Sequence, residues 1–259
     1  MGISLAGYAA TGVLAGLLAG LMGVGGGLVM VPALLVLFGY QGFDSAHLAQ
    51  TAVGSSLAAI VPISIASLWS HHRRGAVEWP LVGWLAPGLM LGAWSGAWLA
   101  AQMSTSWLKG VFGLFLLAVS AQMAGGFRPA EGRGGAAWWS LLPVGWLIGL
   151  VSGLVGIGGG TMTVPYLHWR GRPLPRAVAT SAACGLPIAL AGAAGFVHFG
   201  ADVHGYVHWP AVAVMAPFAV LCAPLGARLT HALPVARLRR FFALVLLAVG
   251  LRLIVSAAG

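Results

Sequence analysis

Acidic side chains are almost missing from this sequence. Only four occur in 259 residues, Asp44, Glu78, Glu131 and Asp202, and each lies in a loop or at the end of an apolar segment. No carboxylate sits mid-segment, where a proton or sodium relay in a membrane usually keeps one. Cysteine is nearly absent too. Cys184 and Cys222 lie in apolar runs with no CxxC spacing, so they read as small packing residues rather than metal ligands. No H-x-E or HExxH pattern occurs, and no Ser/His/Asp set is arranged for catalysis. An enzyme, a metal site and a bound cofactor are therefore not expected. Gly23-Val24-Gly25, followed by Asp44, loosely imitates a dinucleotide fingerprint. Its spacing is wrong and its flanks are apolar.

What fills the chain instead is apolar sequence. Hydrophobic residues make up 59% and charged residues 7%, with a mean hydropathy of +0.94. Continuous runs reach the ~18–20 residues that cross a bilayer core, which defines a polytopic helical membrane protein. A barrel would alternate instead. The net charge of +9 reads as loop arginines that fix topology, not as a nucleic-acid surface. The N-terminus lacks a basic leader region and reads as the first membrane segment, not as a signal peptide. Trp69, Trp79, Trp107, Trp138, Trp139, Trp169 and Trp209 fall at segment ends, as an interfacial aromatic belt requires.

Eight apolar segments run at about 5–38, 45–70, 80–101, 107–125, 138–168, 177–199, 207–230 and 238–257. They form two sets of four. Gly20-Leu21-Met22-Gly23-Val24-Gly25-Gly26-Gly27 with Val31-Pro32 recurs as Gly153-Leu154-Val155-Gly156-Ile157-Gly158-Gly159-Gly160 with Val164-Pro165, a shift of 133 (153 − 20). Ala52-Val53-Gly54-Ser55-Ser56 matches Ala177-Val178-Ala179-Thr180-Ser181 at 125 (177 − 52), and Ala86-Pro87 matches Ala216-Pro217 at 130 (216 − 86). The expected division is repeat 1 over 1–127, a linker over 128–135 on the cytoplasmic side, and repeat 2 over 136–259.

Loop charges set the relative orientation of the halves. The first loop of half one has no Lys or Arg, whereas its counterpart has Arg170, Arg172 and Arg176. The second loop has Arg73 and Arg74, whereas its counterpart has neither Lys nor Arg. The third has Lys109 against Arg228, Arg237, Arg239 and Arg240. Each pair differs as inverted topology demands; Arg252 alone runs against the trend. Inversion needs an odd number of crossings per half. Residues 5–38 would make roughly 51 Å of helix against a ~30 Å core, too long for one span and too short for two. Each first segment is therefore expected to break at its glycines into a re-entrant pair. The result is two inverted-topology repeats, each a broken pair plus three transmembrane helices, about ten helices in all. Both termini are expected on the periplasmic side.

Glycine runs are costly in lipid unless protein or a cavity surrounds them. Broken helices in inverted repeats are how many secondary transporters build a substrate site, and freed N–H groups there favour an anion. The candidate substrate-binding residues are Gly23, Gly25, Gly26, Gly27, Gly156, Gly158, Gly159 and Gly160, with Pro32 and Pro165 as helix-break residues. Ser55, Ser56, Thr180 and Ser181 open equivalent helices and could donate hydroxyls, or serve as caps. Thr161 and Thr163 follow the second glycine run where the first has Leu28 and Met30, which makes half two the more polar. His198 reads as an interface residue ahead of a proton carrier.

The doubled Gly-Leu-x-Gly-x-Gly-Gly-Gly with Val-Pro resembles the TauE/SafE sulfite exporter family, also called the toluene sulfonate uptake permease (TSUP) family. Ser55-Ser56-Leu57-Ala58 with Val61-Pro62, and His71-His72-Arg73-Arg74-Gly75-Ala76-Val77, add to the likeness. Ser55-Ser56 departs conservatively from the usual Thr-Ser. The resemblance implies a multi-pass transporter of the bacterial inner membrane that moves sulfite, sulfonates or sulfoacetate-like anions. Its partners would be the small anion and the bilayer, not nucleic acid. A passive anion channel and a non-transporting membrane scaffold are the alternatives.

Overall fold

The computed structural model describes residues 2–22, 26–124, 138–201, 205–229 and 235–258. Within them it is all-helical, with ten α-helices and no strand. Half one contributes α1 (Gly2–Met22), α2 (Gly27–Tyr40), α3 (Leu48–Arg73), α4 (Trp79–Gln102) and α5 (Thr105–Ala124). Half two contributes α6 (Leu141–Val155), α7 (Gly160–Trp169), α8 (Leu174–Phe199), α9 (Trp209–Leu229) and α10 (Val235–Ala258), with a short 3-10 turn, Trp138–Ser140, leading into α6. Helices satisfy every internal backbone group without water, the condition for crossing lipid. By length and composition, five stretches qualify as membrane spans: Leu48–Arg73, Thr105–Ala124, Trp138–Val155, Leu174–Phe199 and Arg240–Ala257. The seven tryptophans expected at segment ends are all exposed. The expected linker over 128–135 lies outside the described residues.

The packing repeats when the halves are exchanged. Equivalent helices α3 and α8 run antiparallel, with Gly54 against Phe196, Leu57 against Gly192 and Ser64 against Gly185. Equivalent helices α5 and α10 do the same: Gly113 meets Gly250 and Ile254, and Ser120 Oγ donates to the Ala243 carbonyl at 2.6 Å. Between them lie two related parallel pairs. Gly88, Gly92 and Gly96 of α4 sit under the carbonyls of Leu142, Trp146 and Leu150 of α6. Gly12 and Gly16 of α1 sit under those of Met215 and Ala219 of α9. Small residues at one-turn spacing let these backbones touch, the usual basis of helix association in membranes. Antiparallel equivalents inside an exchangeable pattern are inverted repeats.

The first broken pair closes on itself. Gly7 faces Leu37, and the Tyr8 hydroxyl donates to Gln41 Oε1 at 2.7 Å, so α2 returns beside the start of α1. Its arms are unequal, 21 residues in α1 and 14 in α2. The apolar part of α1, Leu5–Gly20, is shorter than the spans above. α7 has only 10 residues. Pro32 and Pro165 stand elsewhere than expected: each lies inside its helix, α2 or α7, a full turn beyond the break.

Contacts sort the loops into two ends. Arg172 Nη1 lies 3.1 Å from Glu78 Oε2, joining the α7–α8 and α3–α4 loops. Tyr206 Oη lies 3.4 Å from His47 Nδ1, and Phe43 packs on His208, joining the α2–α3 and α8–α9 loops. This is the grouping that the loop charges require.

Candidate functional site

The second glycine break is a buried, sharply folded segment. α6 stops at Val155 because Gly156 turns left-handed, with φ +74. The Ile157 N–H then donates to the Ser152 carbonyl at 3.0 Å. Gly159 is left-handed again, with φ +75, and opens α7 by accepting from Met162 and Thr163 at 3.0 and 2.8 Å. Any other L-residue in this conformation costs about 1–2 kcal/mol. Space excludes one as well: a Cβ at Gly156 would meet Val31 and Val53, and one at Gly159 would meet Ile188. Residues 152–161, including Gly158, Gly160 and Thr161, are buried throughout.

The first break differs. Gly23 and Gly25 lie outside the described residues. Gly26 is helical, with φ −67, and its carbonyl accepts from Val29 and Met30. The two breaks do meet, since a Cβ at Gly27 would lie 2.5 Å from the Gly156 carbonyl oxygen and 2.9 Å from Ile157 Cα.

The hydroxyls tie the halves together. Ser55 and Thr180 lie two turns inside α3 and α8, not at their starts. Ser56 Oγ donates to the Gly156 carbonyl at 2.9 Å, so half one anchors the turn of half two. Ser55 Oγ accepts from the His208 N–H at 2.8 Å, and Thr180 Oγ1 accepts from the Glu78 N–H at 3.1 Å. These last two bonds are one bond seen from each repeat. They hold the loops ahead of α9 and α4, a use the sequence left undecided between cap and ligand. Ser181 Oγ and Thr163 Oγ1 are buried and have no partner among the described residues. Buried hydroxyls are nearly always satisfied, so such exceptions call for an explanation.

Two further serines line this region. Ser152 Oγ would stand 3.6 Å from a Cβ at Gly159, and a Cβ at Gly185 would lie 3.1 Å from the Gly158 carbonyl and 3.2 Å from Ser64 Oγ. Their repeat counterparts are Ala19 and Ala189, so the comparison of halves passed over them. The region thus gathers hydroxyls and backbone groups beside Val31, Val53 and Ile188. Among the described residues no cluster of His, Cys, Asp or Glu could hold a metal. His198 stands apart, its ring on Trp94 and Phe199 at the end of α8.

Sequence reading also missed a cavity of about 300 Å³ at one end of the bundle, lined by Phe43, Asp44, His47, Thr51, Tyr206 and His208 among others. Ala211 N–H donates to His208 Nδ1 at 3.3 Å, while Tyr8, Phe38 and Phe43 crowd the ring. Burial lowers the His208 pKa below the ordinary imidazole value.

Inverted five-helix repeats that meet at paired glycine breaks, with apolar helices long enough for lipid, define a multi-pass membrane transporter. The family model described as sulfite exporter TauE/SafE matches residues 8–253. The chain belongs to that family. It is 33% identical to a probable membrane transporter protein of Haemophilus influenzae, over 93% of this chain and 95% of the other. It is 28% identical to one of Methanocaldococcus jannaschii, over 93% and 91%. It is 30% identical to the probable inner membrane transporter protein TsaS of Comamonas testosteroni, over 77% and 82%. Each of these relatives is named as a probable membrane transporter. No solved structure matches the chain.

Proposed function

We propose that this transporter carries a small anion, of the sulfite, sulfonate or sulfoacetate type, by alternating access. The carrying observation is the second break: a buried left-handed turn at Gly156 and Gly159, with Thr163 Oγ1 and Ser181 Oγ unpartnered among the described residues. Hydroxyls without a partner among the described residues are free to donate to anionic oxygens. The start of α7 adds N–H groups at the positive end of a helix dipole. Gly23, Gly25, Gly26 and Gly27 would form the facing wall, and Ser56 would hold the turn in place. The halves, 1–127 and 136–259, rock about this region. The protein sits in the bacterial inner membrane with the arginine-rich loops cytoplasmic and both termini periplasmic.

The test is flux of sulfite, sulfoacetate and a plain carboxylate into proteoliposomes, with thermal unfolding in detergent as the binding readout. A sulfur oxyanion should raise the melting temperature and move across the membrane, and Thr163→Val with Ser181→Ala should abolish both effects while the protein stays folded. Absence of flux for every anion would overturn the reading. Counterflow exchange separates a carrier from a channel.

A further inference from the structure

The two ends of the bundle present the same repeat positions with different chemistry. Glu78 and His208 are equivalent (208 − 78 = 130): each directly precedes a Trp-Pro helix start, and each gives its N–H to a hydroxyl of the other half. Arg172 and His47 are equivalent at the shift that relates Ser55 to Thr180 (172 − 47 = 125). At one end the pair is an ion pair, Arg172 with Glu78 at 3.1 Å. At the other, the same two positions carry imidazoles and line the cavity of about 300 Å³. An inverted repeat that alternates must exchange the conformations of its two ends. One end carries opposite charges at these two positions; the end with this cavity carries none there.

We infer that Arg172–Glu78 is the latch of one mouth, and that His47 and His208 mark the unlatched mouth of the same gate. Closing the second mouth brings His47 toward His208 as Arg172 now stands toward Glu78. Because the latch belongs to one end only, it biases the resting equilibrium toward the conformation seen here. Glu78 Oε1 is buried with no partner among the described residues, so loss of Arg172 leaves that carboxylate uncompensated and drives the mouth open. Around the imidazoles, the titratable groups are Tyr8 from α1, Asp44 from the α2–α3 loop and Tyr206 from the α8–α9 loop.

This inference rests on alternating access, but its test does not need the anion. Single cysteines are placed at Val77, half-buried beside the latch, and at Thr51, in the cavity, in a background with Cys184→Ala and Cys222→Ala. Labelling by a polar maleimide is timed in detergent. Glu78→Gln and Arg172→Gln should each speed labelling at Val77→Cys about fivefold, the population factor of a partly exposed ion pair at the upper end of its range. Labelling at Thr51→Cys should slow in the same variants. The exchange Glu78→Arg with Arg172→Glu should restore both rates. Building the latch at the other mouth, His47→Arg with His208→Glu, should slow Thr51→Cys about fivefold. Unchanged labelling in the single variants overturns the latch, as does acceleration at Val77 with no slowing at Thr51, which is local fraying. Failure of flux with intact coupled labelling would instead overturn the anion reading alone.

Discussion

The two glycine breaks share a motif and differ in conformation where both are described, at Gly26 and Gly159. In half two, Gly156 and Gly159 are left-handed and Thr161 and Thr163 follow. In half one, Gly26 is helical, and Leu28 and Met30 fill the matching places, Met30 fully buried. The same motif is therefore followed by hydroxyl side chains in one half and by apolar ones in the other. The repeat conserves a way to stop a helix inside a membrane, while the side chains after the stop decide what the stop can hold.

The largest effect should come from the left-handed turn itself. Gly159→Ala forces a Cβ into a positive-φ position and against Ile188, for a cost of about 2–4 kcal/mol. Gly26→Ala places a Cβ 3.1 Å from Ala15 Cβ, 3.3 Å from the Ala15 carbonyl oxygen and 3.4 Å from the flexible Met30 Cε, in a helical backbone, and should cost about 1 kcal/mol or less. Thermal unfolding of both in detergent decides it; equal losses would erase the distinction between the breaks. Ser56→Ala comes next. It removes the donor from the buried Gly156 carbonyl across the two halves, for about 1–3 kcal/mol. The loss should be matched by slower flux, because the turn it steadies faces the proposed site.

The fold was legible because its causes are coarse. Long apolar runs dictate spans, and arginines clustered in Arg170–Arg176 on one half and at Arg73–Arg74 on the other dictate inversion. The length of residues 5–38 forced a break, and the glycines located it. What was not legible depends on contacts between distant residues. Nothing in Ser55 or Thr180 alone shows that each caps a loop more than 100 positions away. Ser152 and Ser64 lacked a polar twin, so the repeat gave no sign of them. His47 and His208 drew no notice inside the apolar segments 45–70 and 207–230, although their equivalents, Arg172 and Glu78, were visible charges. The prolines misled because a proline can ride within the early turns of a helix, where few backbone bonds are lost.

The smallest change in stability tests the comparison most sharply. Thr163 Oγ1 is buried without a partner among the described residues, and its counterpart is Met30 (163 − 133). Thr163→Val keeps the shape and removes a desolvated hydroxyl. Stability should stay level or rise by up to about 1 kcal/mol, since an unmade hydrogen bond is a liability in the folded state. Affinity should move the other way. A lost hydrogen bond to a charged ligand is worth about 1.5–3 kcal/mol, so the anion-induced rise in melting temperature should need at least tenfold more ligand. A hydroxyl that only steadies the fold gives the opposite pattern, lower stability with unchanged affinity. Restoring the hydroxyl on the other wall, Met30→Thr in the Thr163→Val background, should recover little binding. Position 30 is backed by helical Gly26 and not by a left-handed turn.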